Sequence, residues 1–216
     1  MIIDLTHEIT DALPVYPGDD KTHLIQTKFF EQDYFCNHQL NIGMHSGTHI
    51  DGPMHLTNST KYLSDFPIET FIGEGCLLDV SKESVIDYKE EYEKKIGEIQ
   101  IVLLHTGHSE LFGRPEYFSS YPTITYEFAK MLVRKRVKMI GLDTPSPDKI
   151  PFEIHKYLFQ NNILIIENLT NLEKLIDGEN FEVIALPLKI RADSSIARVI
   201  ARTMDCGNKK GLKRER

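Results

Sequence analysis

Three imidazoles and a carboxylate stand within the eleven residues His45-Ser46-Gly47-Thr48-His49-Ile50-Asp51-Gly52-Pro53-Met54-His55, and no single regular element can bring them all to one point. Nine histidines in 216 residues would place about 0.5 in such a window by chance, so three is a pattern to be explained. Drawn as one strand, the segment would hold His45 and His55 roughly 33 Å apart at about 3.3 Å per residue. Drawn as a helix, it would stack His45 and His49 one turn apart, but Gly47, Gly52 and Pro53 oppose its continuation. The expectation is therefore a tight turn or short helical piece that folds the side chains inward. Neutral imidazole nitrogens with a carboxylate oxygen suit zinc, and equally manganese or iron(II). Three protein ligands leave a coordination position open, which is the mark of a catalytic ion, one that acidifies water and polarises a carbonyl. The alternative is a solvated turn with loop histidines, and the density of mixed ligand types argues against it. His55 remains open on this reading, as a fourth ligand, a packed histidine or a general acid/base.

Away from the cluster, short β-rich runs alternate with amphipathic segments. Met1-Ile2-Ile3-Asp4 is strand-like, and strands are predicted over 23–30, 34–44, 76–80, 99–105, 137–142, 162–167 and 181–188. Helices are predicted over 125–136, 151–160 and 172–177, with Pro151 in a first turn and Thr170-Asn171-Leu172-Glu173 as a capping box. The charged run Lys89-Glu90-Glu91-Tyr92-Glu93-Lys94-Lys95 reads as the wet face of another helix. This alternation implies an α/β fold with a sheet-rich core and peripheral helices. With 41% hydrophobic residues, 216 residues can bury a full core as one domain, expected over 1–207, followed by a basic, frayed tail over 208–216.

At the cluster itself the sequence resembles the cyclase family, which includes bacterial kynurenine formamidases and isatin hydrolases. The resemblance rests on the HxGTHxDxPxH pattern of residues 45–55. It continues through Asp4-Leu5-Thr6-His7, Pro14-Val15-Tyr16-Pro17-Gly18-Asp19, Leu104-His105-Thr106-Gly107, Gly141-Leu142-Asp143-Thr144-Pro145-Ser146-Pro147-Asp148 and Leu186-Pro187-Leu188-Lys189 with Ala192-Asp193. It implies a compact, barrel-like swivelling β/β/α fold in dimers or higher homo-oligomers. It implies further that His45, His49 and Asp51 bind one metal ion, that Asp51 bridges to a second completed by His155 and Glu167, and that His55 is the proton donor and acceptor. One or two zinc ions, or manganese, would serve. Taken alone, His155 reads as an ordinary helix histidine and Glu167 as a strand-end carboxylate. The implied reaction is cleavage of a formamide or related C–N bond, as when N-formylkynurenine yields kynurenine and formate. The runner-up is opening of a cyclic amide or ester, or a cyclisation or elimination on the same site, and a non-catalytic metal-binding protein is the alternative of another class.

The chain departs from the pattern in two places. Formamidases carry a pocket tryptophan before the opening Pro-Gly; here Tyr16 takes that place and there is no tryptophan anywhere. A tyrosine still offers an aromatic face and a hydroxyl, so Tyr16 is the expected substrate contact, for an aromatic amide. Near the C-terminus Asp193-Ser194-Ser195-Ile196-Ala197-Arg198 replaces a glycine- and proline-containing turn, which leaves the place of Asp193 open.

Other designs are poorly represented. No G-x-S-x-G elbow, phosphate loop, H-E-x-x-H or dinucleotide fingerprint occurs. Ser146 between Asp143 and Asp148 reads as an ordered turn, given Pro145 and Pro147, in preference to a triad. His105 and His108 can line a pocket mouth or lie on the surface. A net charge of −7 gives no general attraction for nucleic acid. Cys36, Cys76 and Cys206 form no C-x-x-C pair or disulfide framework, which fits a reducing cytoplasm. Neither a signal peptide nor an apolar stretch of about 18 residues is present, so no membrane span is expected.

Overall fold

The computed structural model describes residues 1–176 and 181–203. The strands are β1 (Ile2–Asp4), β2 (His23–Lys28), β3 (Asn37–Asn41), β4 (His49–Asp51), β5 (Ile72–Asp79), β6 (Val85–Ile86), β7 (Ile101–His105), β8 (Thr123–Ile124), β9 (Met139–Leu142), β10 (Leu164–Glu167), β11 (Phe181–Pro187) and β12 (Ser194–Thr203). The helices are α1 (Phe30–Asp33), α2 (Glu90–Ile96), α3 (Tyr126–Arg134) and α4 (Glu153–Gln160). The main sheet runs β1-β12-β11-β5-β7-β9-β10-β4, and a further pairing of β4 with β12 closes it into a barrel that leaves β1 on the rim. This is the expected α/β, barrel-like β/β/α arrangement.

Strands β5, β7, β9 and β10 are parallel neighbours, and α2, α3 and α4 lie in the crossovers between them. Covered on both faces, such strands read as continuous apolar runs, and their side chains divide at period two between two cores. Ile101, Leu103, Met139, Leu164 and Ile166 fill the barrel with Val183, Ala185 and Val199 from the antiparallel side. Val102, Leu104, Ile140 and Ile165 instead face Phe128, Met131, Leu132, Leu158 and Phe159 of α3 and α4. Leu103 is fully buried, where Leu→Ala costs about 2–5 kcal/mol. The interior is crowded enough to demand glycine at two strand positions. A Cβ on Gly75 would lie 2.5 Å from the Phe181 ring, and one on Gly141 would lie 2.6 Å from Leu103.

Each helix forms for a local reason. Thr125 caps α3 by accepting a hydrogen bond from Phe128 N at 3.2 Å, and Phe128, Ala129, Met131 and Leu132 give it one buried stripe. In α4 the stripe is Ile154, His155, Leu158 and Phe159, so His155 is drawn inward with the apolar face. The charged run at 89–95 is α2, with Tyr92 and Ile96 buried and the remaining side chains outward.

Three local expectations are corrected. Residues 172–175 form a 3-10 turn in place of the helix expected over 172–177, of which Asp177 lies outside the described residues, and without the capping box. Asn171 precedes that turn at φ 59° and donates its side-chain amide to Asp4 O, so tertiary contact with β1 replaces the cap. Pro151 lies before α4, which starts at Glu153 after Phe152 at φ 60°. The run 34–44 contributes only β3, because Tyr34 adopts a left-handed φ of 63°. Strands β2 and β3 pair with each other outside the barrel, and every residue of β3 is exposed. The tail at 208–216 and Cys206 lie outside the described residues. Among those described, no helix is long and apolar enough to cross a membrane.

Candidate metal centre

The histidine-rich segment is neither a helical piece nor a simple turn. Its middle is strand β4, which closes the barrel by pairing antiparallel with β10 on one side and β12 on the other. Alternation then sorts its three residues: Ile50 points into the barrel core, so His49 and Asp51 share the opposite face. The register sets Glu167 and Ile196 beside His49, and Ile165 and Ser194 beside Asp51. The turns at either end bring up the remaining groups. Before β4, Gly47 adopts φ +62° with Leu13 packed 3.0 Å from where a Cβ would stand. After it, Gly52 N donates to Asp193 O at 3.0 Å. A Cβ on Gly52 would meet that oxygen at 2.7 Å, so only glycine admits the approach that places Asp193 at the site.

All six of the predicted metal and acid/base residues converge. His45 Nδ1 is 2.8 Å from Asp51 Oδ1, and His49 Nε2 is 3.2 Å from the same oxygen and 3.4 Å from Glu167 Oε2. From α4, His155 Nε2 reaches Glu167 Oε1 at 3.2 Å and Asp51 Oδ2 at 3.9 Å. Ligand-type atoms of His45, His49 and Asp51 lie within 4.8 Å of one another, as do those of Asp51, His155 and Glu167, so Asp51 belongs to two adjoining donor sets. A third grouping is His45, His55 and Asp193. Asp193 Oδ2 stands 2.9 Å from His45 Nε2 and 3.4 Å from His55 Nδ1, and Ser194 Oγ also meets His45 Nε2 at 2.9 Å.

The cluster's own electrostatics favour a cation at its centre. Burial alone would lower the His45 imidazole, but Asp51 and Asp193 outweigh it and lift it to about 9. Burial likewise opposes charge on His155, yet Asp148 and Glu167 raise it to about 10. For Asp51, burial pushes upward and is overcome by His49 and His45, which hold the carboxyl well below its usual range. His55 differs in sign: burial lowers its pKa, and Asp51 only partly offsets this. Two buried atoms of the centre, His49 Nε2 and Asp51 Oδ1, stand 3.2 Å apart yet neither is satisfied by a well-aligned hydrogen bond among the described residues. Buried polar groups are rarely left so, and this orphaned nitrogen–oxygen pair, in a set of imidazoles and carboxylates, fits a divalent transition metal.

Orienting partners fix the imidazoles. His49 Nδ1 meets Gly47 O at 2.8 Å, and Asn168 Nδ2 donates to the same carbonyl at 2.8 Å. Tyr117 Oη in turn donates to Asn168 Oδ1 at 2.7 Å. Asp148 Oδ1 binds His155 Nδ1 while its other oxygen accepts from Ile154 N. Each ring is thereby held with Nε2 toward the cluster, as outer partners of metal-binding histidines do. The 143–148 segment is an ordered turn: Thr144 Oγ1 donates to Ser146 O and Asp148 N to Ser146 Oγ, which is no triad. Asp143 pins the end of β7 by accepting from Thr106 N, Thr106 Oγ1 and Gly107 N.

A cavity of about 280 Å³ opens over the cluster, with His45, Asp51, His55, His155 and Glu167 in its floor. Tyr16 lines it, set edge-on to Phe118 at 5.8 Å between ring centroids. Phe118, Ile150 and Phe152 are pocket residues that sequence reasoning passed over. His105 and His108 border no part of this cavity: His105 Nδ1 meets Asp79 at 3.1 Å, and His108 is buried with Nε2 on Tyr117 O at 2.8 Å.

Residues 3–149 match the model of a family described as putative cyclase. A kynurenine formamidase of Bacillus cytotoxicus is 32% identical over 210 residues, covering 94% of this chain and 97% of its own. An uncharacterized protein of Methanocaldococcus jannaschii is 35% identical over 201 residues, covering 93% and 98%. Among solved structures, isatin hydrolase A of Labrenzia aggregata superposes with a TM-score of 0.82 at 23% identity, covering 94% of this chain and 93% of that one.

Proposed function

The chain belongs to the cyclase family, and from that premise we propose that it is a metal-dependent amidohydrolase cleaving a formamide or related C–N bond of a small aromatic substrate, as a kynurenine formamidase does. The observation that carries this reading is the pair of donor sets joined at Asp51 beneath an aromatic-walled cavity. His45, His49 and Asp51 would hold one zinc or manganese ion, and Asp51, His155 and Glu167 a second. When bound, such an ion supplies Lewis acidity toward the carbonyl and toward water.

The chain's own residues do the rest. Tyr16 and Phe118 hold the aryl ring over the cluster, and Gly47 O and Asp148 keep His49 and His155 facing it. Water adds to the carbonyl carbon, the C–N bond breaks, and the amine nitrogen leaves with a proton. His55 is suited to carry that proton: its Nδ1 faces Asp193, which leaves Nε2 to take the proton that water loses as it adds and pass it to the departing amine. Burial keeps the imidazole close to neutral, the state from which it can both accept and give. The products are a free arylamine and a carboxylic acid.

Purified protein reconstituted with zinc or manganese should hydrolyse N-formylkynurenine or simple formanilides. Turnover of isatin alone would move the assignment to opening of cyclic amides. No turnover across that panel at full metal occupancy would overturn the enzymatic reading in favour of a binding protein.

A further inference from the structure

The cavity wall has a charge pattern that bears on which aromatic amide fits. Among the described residues lining it there is no lysine or arginine, and its one carboxylate outside the metal cluster is Asp19. Asp19 is exposed at the mouth and has no ion-pair partner among the described residues. Its position is built rather than incidental. Tyr16-Pro17-Gly18-Asp19 is a turn closed by Asp19 N donating to Tyr16 O at 3.0 Å. Gly18 takes φ +105°, and proline followed by a positive-φ glycine is the pattern of a type II turn. That turn ties Asp19 to the backbone of Tyr16, and both residues line the cavity, so an aryl group held there shares it with a lone carboxylate.

We infer that Asp19 makes this site selective for aryl amides carrying a protonated amine at the end remote from the scissile bond, and against those carrying there a carboxylate without such an amine. The inference rests on the amidohydrolase reading and goes beyond it by naming the charge of the substrate's far end. A cation in that place gains a counter-ion, whereas an anion meets like charge with no basic side chain in the wall to offset it. Such arrangements set specificity through the disfavoured partner as much as the favoured one.

The experiment compares three formanilides that differ at one ring position, bearing an aminomethyl, hydroxymethyl or carboxymethyl group. Metal-loaded wild type, Asp19→Asn and Asp19→Lys are assayed at low salt. Wild-type kcat/KM should fall in the order cationic, neutral, anionic, with each step about two- to fivefold, the range of exposed charge pairs. The cationic-to-neutral ratio should collapse toward one in Asp19→Asn and invert in Asp19→Lys. Calorimetry of the corresponding arylamine products, aminomethylaniline against hydroxymethylaniline, reads the same preference as binding without turnover. An unchanged order in Asp19→Asn, or a wild type that prefers the anionic substrate, overturns the role of Asp19 and leaves the hydrolase reading intact. Absence of turnover on all three and on N-formylkynurenine overturns the hydrolase reading, and product binding then still decides whether Asp19 selects for cations.

Discussion

The two ends of the candidate metal centre are built differently. In the inner set the side chains of Asp51, His155 and Glu167 are 1, 3 and 7% exposed, whereas His45, His55 and Asp193 in the outer set are 26, 30 and 33% exposed. The inner groups sit on β4, α4 and β10, where strand register and a helix stripe fix them, and Asp148 braces the helix histidine from behind. The outer groups sit in connecting segments, before β4, after it and before β12, and they hold one another. The difference teaches that a rigid half suits gripping an ion, while a half open to the cavity suits meeting substrate and exchanging protons.

Asp51 is shared by the donor sets His45-His49-Asp51 and Asp51-His155-Glu167 and should show the largest effect. Asp51→Ala should lose metal from both positions and reduce turnover to background, and chelation of the wild type should do the same, with recovery on zinc or manganese. Elemental analysis and kcat of the variant check this. A variant that keeps two ions per chain would show that these two donor sets do not depend on a shared carboxylate.

The next comparison sets His55 against His49. Loss of a positioned proton-transfer group costs about 10²–10⁴-fold, so His55→Ala should slow kcat by that amount and retain its metal. His49→Ala reduces a three-residue set to two and should lose metal first. The outer grouping of His45, His55 and Asp193 makes the contrast a real test. If the two variants lose metal equally, His55 is a ligand and the proton is carried elsewhere.

A smaller effect is expected from the brace behind the inner half. Asp148→Asn leaves the α4 stripe in place but weakens the hold on His155 Nδ1. Replacing such orienting partners typically costs about 10–100-fold in metal affinity. Competition against a chromogenic chelator should detect the loss at one of the two positions. Unchanged affinity there would mean that packing of α4 alone orients the ring.

Much of this was legible in the sequence, and the parts that were not have a common cause. The strands of the parallel half announce themselves as unbroken apolar runs such as Ile101-Val102-Leu103-Leu104, because both faces are buried. Strand β12 was not anticipated. Its barrel-facing positions include Ala197 and Ala201, too small to mark the alternation, each followed by an exposed arginine, Arg198 and Arg202. Strand β4 is three residues long, too short to show any period, and is a strand only because β10 and β12 flank it. The ligand types were visible locally, and the resemblance supplied His155 and Glu167. Asp193 carries no local signal: it arrives through pairing of β12 with β4 and the bare Cα of Gly52. Asp148 was read as part of a turn, which it is, but its reach to His155 depends on where α4 docks.

The smallest predicted effect lies at the open half's far wall. Tyr16 is separated from the donor atoms by the cavity it lines, and it meets Phe118 edge-on, so it contributes apolar contact and ring geometry. An aromatic pair of this kind is worth about 0.5–1.5 kcal/mol beyond the area it buries. Tyr16→Ala should therefore weaken an aromatic substrate by about two- to tenfold, expressed in KM, with metal content unchanged, while Tyr16→Phe should recover most of the loss. The comparison of halves predicts this separation, because removing a wall of the open half leaves the inner grip untouched. Unchanged KM and kcat for the best aromatic substrate would show that the ring binds elsewhere, and loss of metal in Tyr16→Ala would show that the two halves are coupled through the pocket wall.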